Sequence, residues 1–383
     1  MVRRVLLARG GTLSITNGLG RAHNSIVSVL NRALVPNWTK VKVIEHQIIS
    51  NVFLRIFKRW KQHPKIVSEE TSKMGIDLLH ITDQEQAHLV PHNSPIPVVV
   101  TIHDLFHIRP RTIEAGDVYI SVGEQKPNMV RKRDLLRIKA GIKRADLLIC
   151  ISEETRTDVK KLFPGKETAL VRNDIDIDYW NPYLNPISRD IISEYDDTSK
   201  CLLITVGSND RRKRLDFIDE IFSNLPNDVK EDINLVKIGS EIKASEVQLI
   251  SFFQHAEALL FPSISEGFGY PPAEAMASGC PVVAANLPAH NEVIPQNCLI
   301  DPINIDAWVS AITKIHSEWL SSGKTDRIPD DSLINHVSNL LSPKVHGEEL
   351  SKAYNSAYNL SLKYLNTQSP INHNYILFDE RSL

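Results

Sequence analysis

Glu266 and Glu274 enclose a stretch, GFGYPPA, whose residue types suit ligand binding. The apolar run ALLF (258–261) precedes it, and a polar loop extends from Ser263 to Tyr270. Pro271 and Pro272 fit the first turn of a helix, where a missing N–H costs least. The helix continues through Ala273–Ser278 and ends at Gly279. A strand–loop–helix unit of this kind presents backbone N–H groups and a positive helix end to an anion. Gly267 and Gly269 let the backbone approach a ligand closely. Carboxylates beside a phosphate repel it unless they bind something else, and sugar or ribose hydroxyls fit that role. The expected site therefore joins Glu266, Gly267, Phe268, Gly269, Tyr270 and Glu274 around one ligand carrying both phosphate and hydroxyls.

Such a loop needs a strand to deliver it, and the chain supplies many. VRRVLLA, DLLHIT, PIPVVVTIHD, ADLLICIS and TALVRND read as strands in the first half, and CLLITVG, INLVKIG, ALLFPS, PVVAAN and CLIDP in the second. Continuous apolar strands alternating with helical stretches indicate parallel sheets covered on both faces. Two such sets predict an α/β protein of two Rossmann-like, doubly wound domains facing each other across a cleft. The Pro- and Asn-rich segment DYWNPYLNPISRD marks the boundary. The expected division is 1–183, 184–344, and a helix in 345–383 returning to the first domain, with a loosely held polar tail after about Thr367. Ligands bind beyond the carboxyl ends of parallel strands, and there the sequence places Gly10 and Gly11, His103, the basic run Arg211–Arg214 and the loop 263–270.

Composition excludes several classes. At 383 residues, 42% hydrophobic and 23% charged, the chain is neither disordered nor of low complexity. It has no apolar run of the roughly eighteen residues that span a membrane. The apolar part of MVRRVLLARGG is too short for a secretory signal, so it reads as a first strand entering a glycine turn. Cys150, Cys201, Cys280 and Cys298 are too scattered for a metal knuckle or redox pair. The charge is asymmetric, with 28 Lys and Arg against 19 Asp and Glu in residues 1–185, and 16 against 27 in the remainder. A basic first half suits a phosphate-bearing substrate or an anionic membrane face. VFLRIFKRW (52–60) adds a basic amphipathic stretch with Phe53, Ile56, Phe57 and Trp60 at helical spacing.

Taken together, FPSISEGFGYPPAEAMASGCPVVAA resembles the signature of retaining glycosyltransferase family 4, whose fold is termed GT-B. The resemblance implies that Glu274 holds ribose hydroxyls, that Glu266 lies nearest the donor sugar, and that the backbone of Gly267–Tyr270 meets sugar and diphosphate. VGSNDRRKR (206–214) is similar to the family's next landmark, implying that Arg212 and Lys213 neutralise the donor diphosphate. Physically, two such cations stabilise charge growing on a leaving nucleoside diphosphate, so no metal and no other cofactor is expected. His103 in VVVTIHD matches a family position near the transferred sugar. Gly10 and Gly11, with Gly18-Leu19-Gly20, resemble its N-terminal glycine loop near donor phosphate and acceptor. ADLLICISEET resembles a structural segment in which Ser152 caps a helix.

The resemblance implies hexose transfer from a GDP- or UDP-sugar to the hydroxyl of a glycan or lipid-linked acceptor. The scattered cysteines, the basic first half and the stretch 52–60 point to a cytoplasmic protein, peripheral at the inner membrane face, and no nucleic-acid partner is expected. The alternative is a catalytically silent GT-B scaffold or nucleotide-sugar-binding subunit. One departure stands out. Only about twenty residues separate INLVKIG from ALLFPS, room for one helix and not for the further strand and base-binding loop that family members carry.

Overall fold

A computed structural model describes residues 2–14, 18–47, 49–116 and 118–367, with side chains to 362. The polar tail expected after Thr367 lies outside the described residues.

The first sheet has six parallel strands: β1 (Arg3–Gly11), β2 (Trp38–His46), β3 (Leu78–Ile81), β4 (Val98–Ile102), β7 (Leu147–Cys150) and β8 (Glu167–Leu170). Their order is β2-β1-β3-β4-β7-β8. Between β4 and β7, β5 (Arg111–Ala115) and β6 (Val118–Val122) form an antiparallel hairpin. The second sheet, order β10-β9-β11-β12-β13, is built from β9 (Cys201–Val206), β10 (Ile233–Ile238), β11 (Ala258–Phe261), β12 (Val282–Ala285) and β13 (Leu299–Ile300), all parallel.

Burial on both faces explains the unbroken apolar runs. Val5 and Leu7 of β1 pack on one side of the sheet and Leu6 and Ala8 on the other. In β9, Cys201 and Leu203 face one cluster and Leu202 and Ile204 the other. Each buried aliphatic side chain contributes about 1.5–3 kcal/mol. The same logic hides β2, an edge strand whose inner positions alternate with half-exposed Lys40 and Lys42. Lysine on an edge discourages pairing with another chain, and it breaks the apolar run that marks a central strand.

Packing passes from the first core to the second between Val171 and Ile175, ahead of Tyr183. Helix Asp331–Leu341 still packs on the second core, whereas helix Pro343–Thr367 sets Leu350, Ala353, Tyr354 and Ala357 on the first.

The amphipathic stretch is not one continuous helix. Helix Val52–Phe57 passes through a π-helical turn, Lys58–Gln62, into helix His63–Thr71. The wider turn shifts the phase of the side chains. Arg59 and Trp60 consequently turn inward, to Asp134 at 2.8 and 3.1 Å. Phe53 and Phe57 remain outside, 84% and 58% exposed.

Candidate active site

Both sheets reverse their winding beside their first strand: β2 and β3 flank β1, and β10 and β11 flank β9. Such switch points open a crevice at the carboxyl ends of the strands. The two crevices face one cavity of about 1140 Å3. The second domain gives it the loops after β9 and β11. The first gives it His103 and Asp104 after β4, the start of helix Gly18–Asn31, and Ser121–Glu124 of the hairpin.

Glu266 is the electrostatic centre. Lys213 Nζ lies 2.5 Å from its Oε1, Arg212 Nη1 3.3 Å from Oε2, and Ser263 Oγ donates to Oε1 at 2.6 Å. Burial alone would raise the Glu266 pKa, but the two cations outweigh it and hold the carboxyl below its ordinary value. Arg212 also reaches Asp210 (2.9 Å) and the Ser265 carbonyl (2.9 Å), and its own carbonyl accepts the Ile264 N–H at 2.9 Å. The loops 206–214 and 263–270 are thus stitched into one charged unit.

Helix Tyr270–Ala277 begins after Gly269, whose φ of 92° is the left-handed conformation glycine adopts without strain. Pro271 and Pro272 remove two N–H groups from the helix start, so the donors for an anion are those of Gly267–Tyr270 in the loop itself. Phe268 is buried in the second core and braces Tyr270 edge-on, with centroids 5.1 Å apart. Gly267 touches the first domain. A Cβ there would sit 2.6 Å from the His103 carbonyl oxygen, closer than real side chains come.

His103 is buried, and its Nε2 donates to the Thr82 carbonyl at 3.0 Å. Burial keeps the imidazole neutral, with its pKa below the usual value. With Nε2–H committed to Thr82, Nδ1 is the acceptor side of the ring. Glu274 is 2% exposed and ion-paired with Arg21 of the first-domain helix, whose guanidinium lies 5.2 Å from the centre of the Tyr270 ring.

The structure brings Glu266, Gly267, Phe268, Gly269, Tyr270, Glu274, Arg212, Lys213 and His103 to this one cavity. Gly10 and Gly11 are not among its lining residues. They end β1, with Gly11 still paired to His46 and the Gln86 side chain lying against Gly10. Because the strand runs on to Gly11, its register holds both glycines back, and Gly18, Leu19 and Arg21 at the start of the next helix reach the cavity instead. Arg21, Asp104, Ser263, Asp210 and the hairpin were not anticipated. Ser152 does cap helix Glu153–Leu162, accepting the Thr155 N–H at 3.1 Å. Among the described residues, no three His, Cys, Asp or Glu side chains gather in a metal-binding group.

Comparison with known proteins agrees with this geometry. Residues 17–179 match the family described as Glycosyltransferase Family 4, and residues 189–327 that described as Glycosyl transferases group 1. The chain is 41% identical over 76 residues to the O-antigen chain mannosyltransferase RfbU of Salmonella typhimurium, covering 20% of this chain and 21% of that one. It is 24% identical over 249 residues to the D-inositol 3-phosphate glycosyltransferase of Mycolicibacterium smegmatis, covering 57% and 54%. The matched segments thus span about a fifth and about half of these two relatives. Sucrose-phosphate synthase from Thermosynechococcus elongatus shares the fold, with a TM-score of 0.65 at 14% identity over 93% of this chain and 99% of that one.

Proposed function

Because the chain belongs to glycosyltransferase family 4 and has the GT-B architecture, we propose that it transfers a hexose from a nucleoside diphosphate sugar to a hydroxyl acceptor, with retention of anomeric configuration. The observation that carries this reading is the Glu266–Lys213–Arg212 cluster sharing a cavity with Glu274. Cations for a diphosphate and carboxylates for hydroxyls stand a short loop apart, as a nucleotide sugar requires.

In the proposed reaction the anomeric carbon loses its bond to the phosphate oxygen and gains one to the acceptor oxygen on the same face. The departing phosphate oxygen takes the acceptor proton. Arg212, Lys213 and the N–H groups of 267–270 stabilise the charge that grows on the leaving group, so no metal is needed. Glu266 and the Nδ1 of His103 orient sugar hydroxyls, and Glu274 holds the ribose. The closed cleft excludes water that would otherwise hydrolyse the donor. The similarity to a mannosyltransferase favours mannose as the hexose, with glucose the other candidate, carried on GDP or UDP. The acceptor is a glycan or a lipid-linked glycan. Calorimetry with UDP, GDP and their sugars, in the presence of a chelator, tests the reading. Micromolar binding of one nucleotide that is lost in Glu274→Gln is the expected result. Binding of none of them leaves a scaffold role instead.

The proposed location is the cytoplasmic face of an anionic membrane. No helix among the described residues is long and apolar enough to cross a membrane. The first domain exposes Phe53, Leu54 and Phe57 among Arg55 and Lys58, and the neighbouring helix Met129–Arg144 adds Met129 and Leu136. Burying such side chains at the interface, with lysine and arginine near anionic headgroups, supports peripheral binding. Co-sedimentation with anionic vesicles and not with zwitterionic ones is expected. Equal recovery with both removes the idea.

A further inference from the structure

Two carboxylates of the cavity, Glu266 and Glu274, are both occupied by cations, but in different ways. Glu266 is satisfied by its own domain, through Lys213 and Arg212. Glu274 is ion-paired from across the cleft, by Arg21. The Glu274 side chain is 3% exposed and the Arg21 side chain 33%. The carboxylate is fixed in a rigid helix packed on the core, whereas the guanidinium stands at the end of a long side chain with solvent on one side. Arg21 is therefore the mobile partner. It rests against the Tyr270 ring and separates the main cavity from a smaller one of about 270 Å3 bounded by Asn24, Ser28, Tyr179 and Glu246.

We propose that Arg21 is a donor-positioning residue that exchanges its partner when the nucleotide enters. This rests on the reading of Glu274 as the ribose-binding carboxylate. With its side chain only 3% exposed and a guanidinium against Oε1, Glu274 leaves a ribose no access to that oxygen. The ribose must displace Arg21, and O–H donors then take the place of the ion pair that the buried Glu274 loses. The released guanidinium lies at the start of the first-domain helix, lining the same cavity as Arg212 and Lys213. The donor diphosphate, which enters together with the ribose, brings two phosphate charges into the cavity Arg21 lines, whereas the smaller cavity offers it only the carboxylates of Asp174, Asp176 and Glu246. Arg21 moves to it as a third cation, and a forked guanidinium suits phosphate oxygens better than an ammonium does. Nucleoside and diphosphate thus bind as coupled halves. The ribose has to evict Arg21, and the diphosphate gives it somewhere to go.

The coupling separates this role from a structural one. Uridine and UDP, and in parallel guanosine and GDP, are titrated into the full-length wild type, Arg21→Gln and Arg21→Lys, with circular dichroism and melting temperature showing that each variant is folded. In Arg21→Gln the nucleoside is expected to bind about tenfold more tightly, since Glu274 is free. The nucleoside diphosphate is expected to bind about tenfold more weakly, since a charge-assisted contact is lost. Arg21→Lys restores part of the second effect. Affinities that fall together, or do not change, in a folded Arg21→Gln overturn the exchange. Wild-type protein that binds neither nucleotide overturns the donor reading itself, a different outcome from an Arg21 variant that behaves like wild type.

Discussion

The second domain reaches the cavity chiefly through two continuous stretches, 206–214 and 263–274, each running from a strand into a helix, and its Asp210, Arg212, Lys213 and Glu266 are paired among themselves, Glu274 alone being paired across the cleft. The first domain reaches it from separated places: the helix at Gly18, the turn at His103 and Asp104, and the hairpin end at Ser121–Glu124. Behind these places its buried histidines are neutral. His23 bonds Thr82 at 2.7 Å, His80 bonds Thr101 and Tyr354 at 2.7 Å each, and His103 bonds Thr82. A charged unit fixed before ligand arrives suits the half that meets a phosphate. Under the proposed function, a surface assembled from separated elements suits the half that would meet a hydroxyl acceptor. The contacts that join the two halves include Gly267 on His103, Arg21 on Glu274, Ile151 in the second core, Glu292 accepting the N–H groups of Glu153 and Glu154 at 2.7 and 3.1 Å, and the hairpin residues Ala115 and Ile120 on Ile264.

The sharpest way to break the contrast is to remove a charge from the second domain. Lys213→Ala is expected to lower kcat/KM by about a hundred- to a thousandfold, because a preorganised cation at the leaving group is lost. It also leaves Glu266 buried with less compensation, so its carboxyl should titrate closer to neutrality. An unchanged rate removes Lys213 from the chemistry. The acid response probes the first domain. Burial lowers His23 to about 4 and His80 and His88 to about 3, and it lowers His63 and His103 as well. These groups stay neutral when folded and take up protons when unfolded, so stability is complete above the unfolded value near 6.5 and is lost as pH falls toward 4. His23 alone accounts for on the order of 3 kcal/mol. Asp83, pushed up to about 6 by burial, offsets part of the loss. Chemical denaturation between pH 7.5 and 4.5 should show marked weakening, and a flat profile contradicts neutral burial. The smallest expected effect is at the hairpin. Ile264→Ala removes part of its seat on the second domain and should slow transfer by several-fold while leaving nucleotide binding nearly unchanged. A loss of nucleotide affinity instead would tie the hairpin to the donor half.

This contrast also decides what could be read from the chain. Glu266, Glu274, Arg212 and Lys213 were legible because a loop between one strand and the next helix keeps its chemistry in sequence order. All five strands of the second sheet were legible for a related reason, being apolar on both faces. The first domain conceals more. Edge strand β2 alternates with lysines, and the hairpin strands alternate because one face is exposed. The Gly116-Asp117 pair between two short alternating runs was the signal for that hairpin. Arg21 carried no local mark beyond its place after Gly18-Leu19-Gly20, since its partner lies 253 positions away, at Glu274. Gly10 and Gly11 misled because a glycine pair after an apolar run reads as a turn, whereas the strand continues through both.

The central claim is transfer with retention at this cavity. Its most direct test is proton NMR of the glycoside formed when the protein is incubated with an α-configured nucleotide sugar, chelator and an oligosaccharide acceptor. The account predicts an α-linked product that is not formed by Glu266→Gln. A β-linked product, or the same product in equal yield from Glu266→Gln, would contradict it.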